Sequence, residues 1–112
     1  MKIDNESDLL KIIDDFIKKY PITAAVGSCL SISYDFQEYI RREYSINTIS
    51  IQFGTLDGHR HSWVEIWTDK LPLTLVDLTA DQFGEEYPHV IVGLHYDVLK
   101  AYGYKYEDED EA

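Results

Sequence analysis

The stretch His61-Ser62-Trp63-Val64-Glu65-Ile66-Trp67 decides the fold, because its residues alternate with the two-residue period of a β-strand. The alternation places His61, Trp63, Glu65 and Trp67 on one face of the strand, and Ser62, Val64 and Ile66 on the other. His61 opens the strand, at the margin of the predicted sheet. An imidazole at that place can be packed and still accessible.

The neighbouring segments also read as strands separated by turn residues. The residues Leu56-Asp57-Gly58 and Thr68 to Pro72 are turn signals. We predict further strands over 47–54, 73–78 and 89–94, and a short helical turn over 79–83. The last part, Tyr96 to Tyr106, is compatible with either a short helix or an edge segment.

Two helices are predicted before the strands. Apolar residues recur at helical spacing from Leu9 to Tyr20, with Asn5 as N-cap and Pro21 ending the helix. The second helix runs from Cys29 to about Tyr44, with Ser28 as N-cap. Helices followed by strands predict an α+β fold in which two N-terminal helices pack on a small antiparallel sheet.

The chain has 112 residues, which suits one domain, and we assign residues 1–106 to it. Residues 107–112 are predicted to be a disordered acidic tail, since Glu107 to Glu111 are five consecutive acidic residues. The formal net charge of −11 repels phosphate backbones and anionic lipid. The composition therefore argues against nucleic-acid or membrane partners and favours basic proteins or peptides.

The single cysteine excludes an intramolecular disulfide and favours a reducing compartment. The residues after Met1 are acidic and lack the apolar run of a signal peptide, and no stretch has the length of a transmembrane helix. These features predict a soluble cytoplasmic protein, or one delivered as part of a larger secreted polypeptide.

Cys29 is the candidate nucleophile, because it stands at the first turn of the predicted second helix. The helix dipole and the unpaired amides there stabilise a thiolate, and the same amides can bind an oxyanion. Gly27 would let a substrate backbone approach closely. The competing interpretation is that a lone cysteine is a small buried hydrophobic residue.

His61 is the candidate base and Asp77 the group that orients it. If strands 61–67 and 73–78 form a hairpin centred on Asp69, His61 lies directly opposite Asp77. A register slip of two residues keeps them as diagonal neighbours, and a slip of one separates them onto opposite faces. Alternatively, Asp77 is an ordinary strand-end residue that caps the turn at Thr79.

Three segments together resemble the papain/transglutaminase-like superfamily of cysteine hydrolases, and in particular the compact domains found in bacterial toxins, effectors and phage proteins. They are Gly27-Ser28-Cys29-Leu30, His61-Ser62-Trp63-Val64-Glu65 and Val76-Asp77-Leu78-Thr79-Ala80-Asp81-Gln82-Phe83. The resemblance implies a papain/transglutaminase-like core, a thioester intermediate, a protein or peptide substrate and no cofactor. For a toxin-like member it also implies an inhibitor or immunity protein as a possible partner.

The chain departs from the peptidase pattern in one respect. No Asn or Gln stands between Pro21 and Ser28 to donate to the oxyanion, so Thr23 or backbone amides would have to serve. Trp63 and Gln82 are further candidates at the site. Trp63 would shield the His–Asp contact from water, although a core tryptophan is the commoner role.

Several functions stay open on these residues. The triad does not separate peptidase, deamidase, transglutaminase and amide hydrolase. A catalytically inactive domain of the same fold, binding a basic protein partner, is the alternative to an enzyme. A weaker alternative is a metal site built from His59, His61 and Cys29, which lacks the closely spaced pairs typical of zinc.

Overall fold

Two central strands joined by a tight turn organise a five-stranded antiparallel sheet. The computed structural model describes residues 2–21, 29–84 and 86–107. The elements are α1 (Glu6–Lys19), α2 (Cys29–Tyr44), β1 (Ile49–Leu56), β2 (His59–Ile66), β3 (Thr74–Asp77), a 3₁₀ helix (Ala80–Phe83), β4 (Ile91–Leu94), α3 (His95–Tyr102) and β5 (Tyr104–Tyr106).

The strand order in the sheet is β4-β3-β2-β1-β5. Strands β1 and β2 pair over eight residues, and the turn between them consists of Asp57 and Gly58, which both have positive φ angles. Two such residues form the tight turn whose twist matches that of a hairpin. The last strand, β5, returns to the far side of β1 and pairs only with Gly54–Leu56.

The sheet carries an apolar cluster on each face. On one face, α1 and α2 pack against Val64 and Ile66 of β2. On the other face, Trp63 and Leu75 pack with residues of the 3₁₀ helix, α3 and β5. The alternation predicted for β2 is confirmed, because neighbouring residues of this strand belong to opposite clusters.

The predicted α+β class is confirmed. Asn5 caps α1 by accepting a hydrogen bond from the backbone amide of Asp8 at 2.9 Å, and α2 begins at Cys29. The segment 96–106 contains both of the structures considered for it, because α3 ends at Gly103 in a left-handed conformation and β5 follows. Glycine adopts that conformation without steric cost.

The predicted register between β2 and β3 is wrong by two residues. Val64 pairs with Val76, so His61 and Asp77 are diagonal neighbours and not directly opposed. The cause is the connecting turn, in which the Thr68 amide donates to the Leu71 carbonyl at 2.9 Å. This contact shifts the turn toward Lys70, and the two-residue slip leaves every side chain on its predicted face.

The predicted acidic tail is described only at its first residue. Glu107 follows β5, and its carboxylate lies 3.8 Å from the Arg60 guanidinium. Residues 108–112 lie outside the described part of the chain. Among the described residues, none of the helices combines the length and the apolar character needed to cross a membrane.

The contact between α1 and α2 yields the first prediction. Phe36 is completely buried, and its ring packs edge-on against Phe16 at a centroid distance of 5.2 Å. We expect Phe36→Ala to lower the free energy of unfolding by about 3–5 kcal/mol, because truncation removes buried area and leaves a cavity. Urea unfolding followed by circular dichroism measures the change.

The exposed Leu10 on α1 provides the matched control for Phe36. Leu10→Ala should change the free energy of unfolding by no more than about 0.5 kcal/mol. Equal losses for the two variants would contradict the assignment of Phe36 to the core.

Candidate active site

Cys29 lies at the start of α2, half-buried, on the wall of a pocket of about 470 Å³. The pocket is lined by Cys29 and Leu30 of α2, by residues 53–55 of β1, by residues 60–62 of β2 and by Glu107. The thiol therefore lies where the start of α2, two strands and the C-terminal segment meet. The first backbone amides of a helix have no partner within the helix, so they are available at this place.

His61 lies on the same pocket wall and is held by a buried carboxylate. Its Nε2 atom is 2.7 Å from Oδ2 of Asp77, and both side chains are almost completely buried. The predicted proximity of these two residues is confirmed in the diagonal arrangement. With Nε2 bonded to Asp77, Nδ1 is the ring nitrogen left for Cys29.

Asp77 is surrounded by hydrogen-bond donors. Its Oδ1 accepts from the Thr79 amide at 2.9 Å and from the Thr79 hydroxyl at 3.4 Å. Its Oδ2 accepts from the Tyr104 hydroxyl at 2.6 Å in addition to His61. The capping role at Thr79 and the contact with His61 were alternatives in the sequence, and Asp77 has both. A buried carboxylate is tolerated only when such donors compensate for the lost hydration.

Sequence reasoning missed Tyr104. It lies on β5, and its ring packs against Trp63 at a centroid distance of 4.9 Å. Burial and then the negative charge of Asp77 raise the pKa of Tyr104, which keeps the hydroxyl protonated as a donor. The alternation in Tyr104-Lys105-Tyr106 is typical of a strand, but it does not indicate which carboxylate the hydroxyl meets.

The pKa values of Cys29 and His61 shift in opposite directions. Burial raises the pKa of Cys29, but hydrogen bonds from Ser62 and His61 outweigh it, and the net pKa is below that of a free thiol. Burial lowers the pKa of His61, but the hydrogen bond and charge of Asp77, with those of Cys29, bring its net pKa above the usual value. These directions favour a thiolate–imidazolium pair over a neutral pair.

Two buried polar atoms of pocket residues that interact with the thiol have no hydrogen-bond partner in the described part of the chain, the Cys29 sulfur included. They are Nδ1 of His61 and the hydroxyl oxygen of Ser62. Buried polar atoms are normally paired, and unpaired ones need an explanation. Both are donors or acceptors placed for the sulfur of Cys29, or for a molecule bound next to it.

The other predicted site residues are not at the pocket or are not described. Thr23, Gly27 and Ser28 lie outside the described residues. Trp63 is fully buried and Gln82 is half-buried in the 3₁₀ helix, and neither lines the pocket, so their contact with substrate stays a prediction. Trp63 occupies this position because its face of β2 forms the second apolar cluster.

A second buried carboxylate lies on the same face of the sheet. Glu65 Oε2 accepts from the indole nitrogen of Trp63 at 3.2 Å and from the hydroxyl of Tyr106, which also bonds to His95. The two tyrosines of β5 thus donate to two carboxylates, Tyr104 to Asp77 and Tyr106 to Glu65. The final strand holds the polar groups of this face in place.

The proposed metal site does not form among the residues that the structure describes. His59 stacks on Phe83 at a centroid distance of 4.9 Å, whereas His61 bonds to Asp77. No cluster of three His, Cys, Asp or Glu side chains within residues 2–21, 29–84 and 86–107 is arranged to hold a metal ion. The pair His59 and His61 is therefore divided between two different contacts.

Comparisons of the chain with protein-family models, with curated proteins and with solved structures find no match. The resemblance to papain/transglutaminase-like hydrolases therefore rests on the motif residues, of which Cys29, His61 and Asp77 are the ones that the fold brings together.

The hydrogen bond of Tyr104 yields a prediction about stability. Tyr104→Phe removes one donor from a buried carboxylate while keeping the ring. We expect the free energy of unfolding to fall by about 1.5–3 kcal/mol, the range for hydrogen bonds to charged groups. Urea unfolding at pH 7 measures it. The control is Tyr96→Phe, at an exposed position, where we expect no measurable change. An unchanged free energy of unfolding in Tyr104→Phe would show that the hydrogen bond to Asp77 contributes little to stability.

Proposed function

We propose that the chain is a cysteine-dependent hydrolase or acyltransferase that acts on an amide or peptide bond through a thioester intermediate. The observation that carries the proposal is the position of His61, which bonds to buried Asp77 through one ring nitrogen and stands beside Cys29 with the other. This arrangement of nucleophile, base and orienting carboxylate is the general pattern of an activated nucleophile.

The proposed reaction begins with the thiolate of Cys29. Its sulfur attacks the carbonyl carbon, a C–S bond forms, and the π electrons move onto the carbonyl oxygen. As the oxyanion collapses, the C–N bond breaks and Nδ1 of His61 gives its proton to the departing amine. Water or an amine then attacks the thioester, His61 accepts the proton of that acceptor, and the thiolate leaves.

The oxyanion would be stabilised by donors around the thiol. The backbone amide of Cys29 belongs to the helix terminus, where the dipole also favours negative charge. The Ser62 hydroxyl is buried beside the sulfur and is a second candidate donor. These groups take the place of the side-chain amide that the sequence lacks before Cys29.

The burial of the His61–Asp77 pair supports an enzyme over a domain that only binds a partner. Burying ionisable groups costs free energy, and a domain that only binds a basic partner through its acidic surface does not need such a cluster. The pKa of Cys29 is lowered and that of His61 is raised in the same pocket, and shifted pKa values in a pocket are typical of catalytic residues. The inactive binding domain becomes the better account if Cys29 has ordinary reactivity.

Alkylation kinetics test the Cys29–His61 pair. We expect folded wild-type protein to react with iodoacetamide well below pH 8.5, about the pKa of a free thiol. In His61→Ala the contributions of His61 to the lowered pKa of Cys29 are removed, whereas those of burial and of Ser62 remain. The reaction should then rise at a higher pH than in wild type. Mass spectrometry of Cys29 over a pH series gives the two curves.

The exposed His89 supplies the matched control for His61. His89→Ala should leave the alkylation curve of Cys29 where the wild-type curve lies. A wild-type curve centred near pH 8.5 and unchanged by His61→Ala would refute the pair.

Asp77→Asn separates the orienting role from packing, because the side chains have nearly the same shape. The single oxygen of the amide cannot accept from both Thr79 and the His61–Tyr104 side. If the NH₂ group of the introduced amide faces Nε2 of His61, the imidazole is neutral and carries its proton on Nδ1. We expect the alkylation curve to move to higher pH in a folded protein. A curve identical to that of wild type would contradict the role of Asp77.

A further inference from the structure

Part of the edge of strand β1 has no neighbour in the sheet. Strand β5 pairs with β1 only at Gly54–Leu56. Among the residues that the structure describes, no strand lies beside the preceding part of β1, residues 49–53, on that side. An open strand edge presents unpaired amides and carbonyls, which can bind an extended peptide as an added strand.

The direction of the backbone groups follows from two hydrogen bonds. The Thr48 carbonyl accepts from Trp67 on the β2 side, and the Asp57 amide donates to Gly103 on the β5 side. Because the direction alternates, odd-numbered residues of β1 point their amides and carbonyls away from β2. Arg41 donates to the Ile49 carbonyl at 3.4 Å, and the register of β1 with β5 places Phe53 opposite Glu107, so Ile51 carries the open groups.

The open edge leads into the pocket of Cys29. Phe53 lies directly across from Ser62, which contacts the thiol, and both residues line the pocket with Leu30. The side chains of Phe53 and Leu30 keep 48% and 49% of their surface exposed. An apolar surface of this kind, next to unpaired backbone and a nucleophile, is a place for a peptide side chain.

We propose that the edge of β1 at Ile51 binds an extended segment of a peptide substrate as an additional strand. One apolar side chain of that segment packs on Phe53 and Leu30, and the chain then enters the pocket and presents its carbonyl carbon to Cys29. This proposal rests on the proposed function and names its substrate class, an unstructured peptide with an apolar residue close to the reacting carbonyl.

Charge distinguishes a peptide from the other occupants of this edge. A second copy would bring together two molecules with a formal net charge of −11 each. The chain's own last residues, 108–112, are four acidic residues and an alanine, which are poor strand formers and have no apolar side chain of the required size. At the pocket itself Glu107 is paired with Arg60 at 3.8 Å, so the charge argument rests on the formal net charge of −11, which favours an apolar peptide with basic residues.

Amide hydrogen exchange measured by NMR tests the edge directly. The experiment uses the Cys29→Ala variant, because without the thiol the peptide is not turned over. The probe is the peptide Lys-Ala-Leu-Ala-Gly, blocked at both ends. We expect the Ile51 amide to exchange rapidly in the free protein and at least about tenfold more slowly with saturating peptide. The Gln52 amide, which points toward β2, is the internal control and should be protected in both states.

Peptide specificity is measured with acyloxymethyl ketones of the same sequence on wild-type protein. Cys29 displaces the carboxylate of the probe, and the second-order rate is divided by the iodoacetamide rate of the same protein. We expect the Leu probe to exceed a matched Asp probe by about tenfold or more, and N-methylation of the Leu amide to reduce its rate. Phe53→Ala should abolish the preference, whereas Tyr34→Ala, exposed on α2, should preserve it.

The outcomes separate the two proposals. If Cys29 reacts at low pH but shows no preference between the Leu and Asp probes, the edge site is overturned and the thiolate–imidazolium pair is retained. Protection of the Ile51 amide in the free protein would also overturn it. Protection that is independent of protein concentration would indicate the chain's own C-terminus, and protection that rises with concentration would indicate a second copy. Slowed exchange with a thiol of ordinary reactivity would support the edge and refute the proposed enzyme.

Discussion

The hydrogen bond between His61 and Asp77 is the interaction on which the polar face of the sheet depends. It joins β2 to the end of β3 in a region that excludes water, at 2.7 Å between Nε2 and Oδ2. A buried carboxylate requires donors, and the chain supplies them from three separate places: the strand β2, the turn at Thr79 and the final strand β5. The groups around the bond are therefore constrained by it as much as by apolar packing.

The same bond fixes what His61 can offer to Cys29. With Nε2 occupied, Nδ1 is the free ring nitrogen, and the α2 helix places the thiol on that side. The tight turn at Asp57-Gly58 sets the register that brings Phe53 opposite Ser62. The pocket, the thiol and the open edge of β1 thus follow from two local features, a two-residue turn and a helix that begins at Cys29.

Local patterns in the sequence predict the elements well, because the caps, turns and periodicities lie within a few residues of each other. Asn5 at the start of α1 and the alternation in β2 are examples. Alternation also puts His61 and Asp77 on one face regardless of a two-residue slip, which is why their contact could be predicted although the register was wrong. The Thr68–Leu71 contact that sets this register is local, but the turn signal from Thr68 to Pro72 does not specify which two residues close the turn.

Long-range placement is what the sequence did not reveal. Tyr104 reaches Asp77 across 27 positions, because β5 passes on the far side of β1, and no local pattern specifies that path. The same path leaves the edge of residues 49–52 that faces away from β2 without a strand among the described residues, and it puts Glu107 at the pocket. Trp63 was expected near the substrate, but the second apolar cluster includes it, since α3 and β5 cover that face.

The most direct measurement is a pH titration of the His61 ring nitrogens by ¹⁵N NMR, in wild type and in Cys29→Ser. The account predicts that both nitrogens carry a proton at pH 7 in wild type, and that Nδ1 titrates at lower pH once the thiolate is absent. An imidazole that titrates near pH 6.5, about the value of an unperturbed histidine, and does so equally in both proteins, would contradict the thiolate–imidazolium pair.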